Sequence, residues 1–263
     1  MSDNEFTRRG LLQSASLMAA GTVSGVLSLS GCVSAPTGKS ARGRGVLWVG
    51  GYAHDFDALA EIMTDFLPRQ VPVDIEVVRD GRFLDSPKAR QLDVIIMNHC
   101  FEHADGVLTE GQKNKLLETV RSGTGVVAIH ASYYSFLEWD QCRQIYGAKF
   151  INHEEVDIMI EVRMVDRKHP VTRGLSESFE VHSELYESTP LSADCRLLAV
   201  AKEKGTEKEY PSVWTTKYGA GRVVTILAAH WPDSYRSKDF QRLIVQSVRW
   251  AMVNKSKQAA GRG

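Results

Sequence analysis

The sequence is poor in cysteine and has no excess of charge of either sign. Its 263 residues include four cysteines, and Cys100, Cys142 and Cys195 are spaced too widely for a disulfide framework or a cysteine-based zinc site. A single disulfide between two of them stays open. The 32 basic and 32 acidic residues balance, so the basic surface that nucleic-acid binding requires is missing. The 43% hydrophobic content is that of a globular domain with a sizeable core.

The first 44 residues have the composition of an export signal followed by a linker. Arg8 and Arg9 precede a moderately apolar run rich in small residues, which resembles a twin-arginine signal and is too interrupted for a transmembrane helix. The run ends in Leu29–Cys32, which resembles a lipobox, the site at which a bacterial lipoprotein is cleaved and acylated. We therefore expect a signal over residues 1–32 with lipidation at Cys32, and a flexible tether over residues 33–44.

This N-terminus predicts an exported protein, periplasmic or at the cell surface, that uses the twin-arginine machinery and is held to the membrane by lipid. A plain export signal with a chance cysteine is the alternative.

Alternating strand and helix patterns predict an α/β fold in the rest of the chain. Buried strands are expected at Gly45–Gly51, Leu92–Asn98 and Val126–His130, with helices at Asp55–Leu67 and Thr109–Arg121 between them. The second half is richer in strands and closes with a helix over residues 239–252. We expect one domain over residues 45–253, with a mixed, mainly parallel sheet, and a disordered tail over residues 254–263.

Four of the predicted strands end at or just before a histidine: His54, His99, His130 and His230. Ligands of parallel α/β sheets bind at the carboxyl ends of the strands. A functional site at this edge is therefore expected, although a core histidine at any one position is the simpler explanation.

Several motifs, taken in order, resemble the ThuA-like family, which is named for trehalose utilisation. They are GGYAHDF, LTEGQKNKLLETVRSGTGVVAIHAS, YGAKFINH, HPVTRGL, FEVHSELY, PSVWTTKYGAGRVVTILAAHW and FQRLIVQSVRWA. The resemblance implies a flavodoxin-like three-layer sandwich similar to class I glutamine amidotransferases, and a role in sugar breakdown, often through 3-keto sugars. The family positions fall on His54, Asp55, His130, His153, Glu184, Tyr186 and His230. Ser183 stands where the family commonly has Asp, and His182 beside it is a candidate substitute.

The turn after Val126–Ile129 offers His130, Ala131 and Ser132 where an amidotransferase needs a nucleophilic cysteine. Amidotransfer is therefore excluded, and no G-x-S-x-G elbow is present either. Imidazole suits a general base or a metal ligand at such a position.

The sequence favours an enzyme that acts on a glycoside or 3-keto sugar, as a lyase, hydrolase or isomerase. The expected catalytic residues are His130, Glu184 and His153, which are also the ligands of a divalent metal, zinc or similar, if one is bound. The expected substrate-binding residues are His54, Asp55, Tyr186, His230 and Trp139. The alternative is a non-catalytic carbohydrate-binding lipoprotein, which would lack a cluster of titratable groups in one pocket. The sequence leaves the exact substrate and the oligomeric state open.

Overall fold

A computed structural model describes residues 42–104, 106–153 and 157–260, with side chains up to residue 252. The predicted signal, Cys32 and the tether up to residue 41 lie outside the described residues.

The described residues form eleven strands and five α-helices. In chain order these are β1 (Gly43–Gly51), α1 (Phe56–Gln70), β2 (Val73–Val78), β3 (Val94–Cys100), α2 (Glu110–Arg121), β4 (Gly125–Ile129), α3 (Asp140–Tyr146), β5 (Phe150–His153), β6 (Ile158–Met164), β7 (Ser178–Ser183), β8 (Tyr186–Ser188), β9 (Arg196–Glu203), β10 (Tyr210–Tyr218), β11 (Gly221–Ile226), α4 (Pro232–Arg236) and α5 (Lys238–Ala260). Short 3₁₀ turns span Gly81–Asp85, Pro87–Gln91 and His130–Ser132.

Nine of these strands form one mixed sheet in the order β2-β1-β3-β4-β11-β10-β9-β6-β7. The strands β2, β1, β3, β4 and β11 pair in parallel, which confirms the predicted parallel arrangement of the first three buried strands. The remaining pairings are antiparallel. Because the direction reverses at each step from β11 to β7, the strands β4, β11, β9 and β7 all run the same way. Their carboxyl ends therefore face the same edge of the sheet.

Helices cover both faces of the sheet, so the fold is the expected three-layer α/β sandwich. Alternate residues of the central strands point to opposite faces. Leu47 and Val127 pack with α1 and α5 in one core cluster, whereas Trp48 and Val126 pack with α2 and α3 in the other. The rigid sheet between these two layers fixes the positions from which the site is built.

Local signals set the helix starts. Thr109 and Gln112 form a complete capping box at the start of α2, as the sequence predicts. The Asp55 side chain accepts a hydrogen bond from the Ala58 N–H and so caps α1.

Three elements differ from expectation. The Phe150–His153 segment, which reads as a loop, is strand β5 and pairs with β8. The closing helix α5 continues to Ala260, so residues 254–260 are helical where a disordered tail is expected. Residues 261–263 lie outside the described residues. Strand β1 begins at Gly43, within the expected tether.

The three cysteines of the described domain, Cys100, Cys142 and Cys195, are all free. Within the part of the chain that the structure describes, no helix has both the length and the apolar character needed to cross a membrane.

Candidate active site

The chain turns abruptly at His130, the first residue after β4. Its φ of 49° lies in the left-handed region, which non-glycine residues rarely adopt. A 3₁₀ turn starts at the same residue. This is the strained strand-to-helix elbow that α/β enzymes use to present a reactive side chain. Here the elbow presents an imidazole that is 1% exposed.

Two other histidines follow residues with the same unusual backbone. Ala53 (φ 65°) precedes His54 after β1, and Ala229 (φ 76°) precedes His230 after β11. The backbone N–H of His230 donates to the carbonyl of His182 at 3.3 Å, which ties the end of β11 to the end of β7. Left-handed turns at three strand ends therefore direct three histidines toward one place.

Glu184, in the connection between β7 and β8, lies at the centre of this cluster. Its Oε1 is 2.9 Å from His230 Nδ1 and 3.2 Å from His130 Nε2. The two ring nitrogens are themselves 3.0 Å apart. Glu184 is 4% exposed, so a buried carboxylate accepts contacts from two buried imidazoles.

The small β5–β8 sheet adds His153 and Tyr186 to the site. These two residues are partners in its register. His153 Nδ1 is 3.0 Å from Glu184 Oε2, and the Tyr186 hydroxyl donates to Oε1 at 3.3 Å. The His153 side chain is 41% exposed, so it is the member of this cluster most open to solvent.

His54 completes the cluster from the β1 side. Its ring lies 4.2 Å from that of His230 and 5.1 Å from that of His130, measured between centroids. Its Nδ1 contacts the Tyr52 carbonyl at 3.2 Å, but its buried Nε2 has no hydrogen-bond partner. Among the described residues, one donor atom each from His54, His130, Glu184 and His230 lies within 4.8 Å of the others, a spacing that can hold a metal ion.

The electrostatics of the cluster keep Glu184 ionised. Burial alone would raise the pKa of its carboxyl, but the neighbouring His130 and His230 hold that pKa well below its usual range. Burial, assisted by the charges of His130 and His230, lowers the pKa of His54 to about 3. Near neutral pH the site therefore combines a buried carboxylate with a neutral imidazole.

Two of the expected substrate-binding residues, Trp139 and Asp55, make structural contacts outside this cluster. Trp139 is 7% exposed and packs against Phe136 in the core on the α2–α3 side, because its indole fills space beneath α3. Asp55 is committed to capping α1. Trp139 therefore packs in the core and Asp55 caps α1, and we expect neither residue to contact the substrate.

Ser183, where the family resemblance leads us to expect Asp, has a structural contact. Ser183 is fully buried and its hydroxyl donates to the Glu184 carbonyl. His182 does not replace the missing acid, because its Nδ1 pairs with Asp233 on α4, at 3.1 Å.

The site has an aromatic rim whose residues were not among the expected substrate-binding residues. Tyr52 is 47% exposed and its hydroxyl lies 3.2 Å from that of Tyr134, while Trp231 is 37% exposed and packs on His230 at 4.5 Å. Trp231 directly follows the cluster residue His230, and a single residue separates Tyr52 from His54. That adjacency, at a predicted strand end, was the available signal.

Comparison with known proteins places this geometry in a family. The sequence profile of the ThuA family, described as trehalose utilisation, matches residues 45–251. A search of curated proteins gives no significant match.

Similar solved structures show the same fold. A ThuA-like protein of Bacteroides uniformis is 20% identical, with a TM-score of 0.70 over 85% of this chain and 97% of that one. A ThuA-like protein of Parabacteroides merdae is 18% identical, with a TM-score of 0.66 over 81% of this chain and 91% of that one. A GMP synthase component from Thermoplasma acidophilum is 12% identical, with a TM-score of 0.51 over 81% of this chain and 97% of that one.

The last similarity is one of fold. The nearby Cys100 is 3% exposed, and burial raises the pKa of its thiol to about 12, which disfavours the reactive thiolate. The family match covers most of the sequence and includes every residue of the His/Glu cluster, so this chain belongs to the ThuA family, which is linked to trehalose utilisation.

Proposed function

We propose that this protein is an exported enzyme of carbohydrate catabolism that acts on a glycoside or 3-keto sugar by acid–base chemistry. The observation that carries the proposal is the convergence of His130, His153 and His230 on the two oxygens of one buried carboxylate, Glu184. Buried titratable groups in mutual contact are typical of catalytic centres. The carbohydrate class comes from the family.

His153 is the best candidate for the group that exchanges a proton with the substrate. It is the cluster residue most open to solvent, and its Nδ1 is held by Glu184 Oε2 at 3.0 Å. A carboxylate that contacts one ring nitrogen orients the imidazole and stabilises its protonated form. Proton exchange with the substrate would then occur at His153 Nε2.

His130 and Glu184 act behind His153. His130 is almost fully buried, and its Nδ1 donates to the Leu227 carbonyl at 2.8 Å, so its orientation is fixed. Together with His230 it holds Glu184 in place. In a 3-keto sugar, the carbonyl acidifies the neighbouring C–H bonds, and a base at this position removes such a proton with the enolate stabilised by the polar cluster.

The aromatic rim supports a sugar as the ligand. The exposed rings of Tyr52 and Trp231 flank the cluster, and aromatic rings stack on the apolar faces of sugars. A pyranose ring stacked on Trp231 would lie next to the rings of His230 and His54.

The alternative of a non-catalytic sugar-binding lipoprotein is less well supported. A binding protein needs an aromatic shelf with neutral polar groups, whereas this site buries a carboxylate among histidines at a cost in desolvation. Proton transfer gives such a cluster a purpose that binding alone does not.

Export is the second part of the proposal and rests on Arg8, Arg9 and the Leu29–Cys32 motif. Replacing both arginines with lysine is expected to stop export, and Cys32→Ser is expected to leave the precursor without lipid. Mass spectrometry of the membrane-associated protein checks both. A mature chain that starts elsewhere and carries no lipid would exclude the lipoprotein assignment.

The test of the chemistry uses 3-keto glycosides and their parent glycosides in heavy water, with proton NMR as the readout. Exchange of a C–H beside the keto group for deuterium detects proton removal whether the product is an elimination, hydrolysis or isomerisation product. The wild type is expected to accelerate exchange, and His153→Asn is expected to lose roughly 10²–10⁴-fold. His103→Asn, at an exposed histidine outside the cluster, is the matched control. Binding of these sugars with neither exchange nor turnover would favour the lipoprotein alternative.

A further inference from the structure

The contacts among His130, His230 and Glu184 cannot all be hydrogen bonds if both rings are neutral and Glu184 is ionised. A carbonyl oxygen only accepts, so His130 must carry its proton on Nδ1 to donate to Leu227. Nε2 of the neutral ring is then a bare lone pair. It faces His230 Nδ1 at 3.0 Å and Glu184 Oε1 at 3.2 Å.

His230 Nδ1 can supply one proton to this triangle at most. The Tyr186 hydroxyl donates to Glu184 Oε1 from outside the triangle, at 3.3 Å. With both rings neutral, at least one close pair of acceptor atoms therefore faces each other with nothing between them. A buried arrangement of that kind is costly unless a positive charge occupies the centre.

The dimensions of the cluster match a metal ion. Ligand atoms of a tetrahedral zinc ion with bonds of ~2.0–2.1 Å are about 3.3 Å apart. The three separations here are 2.9, 3.0 and 3.2 Å. His54 supplies a fourth ligand atom within 4.8 Å of the others, and its Nε2 is buried and has no hydrogen-bond partner.

The ligand side chains also have a second nitrogen or oxygen that faces away from the cluster, and the hydrogen bonds to these atoms follow the pattern of a metal centre. Metal-bound histidines commonly donate their second N–H to a carbonyl or carboxylate. His130 contacts the Leu227 carbonyl, and His54 Nδ1 contacts the Tyr52 carbonyl at 3.2 Å. Glu184 uses Oε1 within the triangle and Oε2 for His153. These contacts leave one nitrogen of each ring pointing inward.

We propose that His54, His130, His230 and Glu184 bind a first-row divalent metal ion, with zinc as the reference ion. Three imidazoles and one carboxylate suit zinc and the neighbouring transition metals better than magnesium or calcium. The ligand set replaces the one expected from sequence, because His153 contacts the outer oxygen of Glu184 and lies beside the metal site as a hydrogen-bond partner of a ligand.

The proposed metal site rests on the same cluster as the proposed function. Metal binding can be measured without any sugar, so the failure of one proposal is distinguishable from the failure of the other. The full-length chain is purified without a histidine tag and its metal content is measured by plasma mass spectrometry. After chelator treatment, Zn²⁺ is titrated in competition with a chromophoric chelator. One ion per chain with Kd below about 1 μM is expected.

Four variants define the ligands. His230→Asn and Glu184→Gln are expected to weaken Zn²⁺ binding at least 100-fold. His54→Asn is expected to weaken it at least tenfold and is the variant safest for folding, since His54 is only partly buried. His153→Asn removes a hydrogen-bond partner of the ligand Glu184 and is expected to weaken binding about tenfold, less than Glu184→Gln. The surface control His103→Asn is expected to bind within about threefold of the wild type. Circular dichroism confirms that each variant is folded.

Three results would overturn the assignment. The first is no Zn²⁺ bound by the wild type at micromolar concentration. The second is unchanged binding in folded His54→Asn and His230→Asn proteins. The third is a loss in His153→Asn equal to that in Glu184→Gln, which would return the site to the set that includes His153. Sugar turnover in the metal-stripped protein would leave the proposed function standing while removing a catalytic role for the ion.

Discussion

Two buried histidines at the ends of neighbouring strands have opposite surroundings. His99 is in β3 and His130 follows β4, and each lies two residues beyond the paired residues Met97 and Ala128. His99 is fully buried among the rings of Trp48, Phe101 and Phe136, with centroids 4.5, 5.1 and 5.3 Å away, and its Nδ1 contacts Ser135 at 3.0 Å. His130 instead contacts Glu184 and His230.

Backbone conformation separates the two. Met97 and Ala128 both face the α2–α3 side of the sheet, and regular alternation sends the residue two positions later to the same side. His99 follows that rule and joins the core. His130 instead has a left-handed φ, and its ring stacks on Tyr186 at 4.9 Å, next to Glu184 and His230. A strained residue at a strand end therefore distinguishes a functional histidine from a core one.

The largest expected difference is between His130→Asn and His99→Phe. Asn tolerates a positive φ, so His130→Asn is expected to stay folded and to lose roughly 10²–10⁴-fold in kcat/KM. His99→Phe is expected to keep kcat/KM within about threefold, because its neighbours are rings and Ser135 also hydrogen-bonds the backbone. Deuterium exchange on a 3-keto glycoside measures the first effect, and thermal unfolding checks both folds.

Equal losses of activity in the two variants would contradict the comparison. So would a His130→Asn protein that unfolds at room temperature, since that result would make His130 a core residue like His99.

Much of the fold was predictable from sequence because its signals are local. The apolar strands β1, β3 and β4 and the capping box of α2 are patterns within a few residues. Strand β5 was missed because its residues are mostly exposed and it forms by pairing with β8, more than thirty residues further along the chain.

The site was predictable only in part, for the same reason. The strand-end rule and the family motifs name His54, His130, His153, Glu184 and His230, and the structure brings these together. The rule also selects His99, which the family motifs leave out, and the backbone angle at His130 distinguishes the two histidines structurally. Trp139 was predicted because it is close to His130 in the sequence, but the direction of a side chain after a tight turn depends on tertiary contacts.

The next largest effect concerns two tryptophans. Trp139 lies in the core near His99, and Trp231 lies beside the cluster that contains His130. Trp139→Ala empties space in the same core as His99 and is expected to lower the free energy of unfolding by about 3–5 kcal/mol. Trp231→Ala is expected to change stability little and to raise KM about 2- to 12-fold, since stacking is worth roughly 0.5–1.5 kcal/mol. Urea unfolding and substrate-saturation curves separate the effects. A normal KM for Trp231→Ala would remove the aromatic rim from the site.

Acid stability gives a smaller difference. Burial lowers the pKa of His99 from 6.5 to about 3, so below pH 6.5 the unfolded chain takes up a proton that the folded chain does not. Stability is complete above pH 6.5 and falls as the pH drops toward 3, by up to ~1.4 kcal/mol per unit. His99→Phe removes this contribution, so its unfolding free energy is expected to fall by about 2 kcal/mol less than that of the wild type between pH 7.5 and pH 5. Parallel pH profiles for the two proteins would show that His99 titrates normally.

The smallest expected effect is that of changing Asp55, which lies at the border of the site around His130. Asp55 is a chain neighbour of the cluster residue His54, but its carboxylate accepts from the Ala58 N–H at 3.0 Å and caps α1. Asp55→Ala is therefore expected to cost about 1 kcal/mol of stability, and Asp55→Ser, which keeps a capping oxygen, only a few tenths. Neither change is expected to alter KM, because the cap is directed at the helix and not at the substrate. Chemical unfolding combined with steady-state kinetics on both variants tests this. A rise in KM that Asp55→Ser shares with Asp55→Ala would make Asp55 a substrate contact and extend the site onto the first turn of α1.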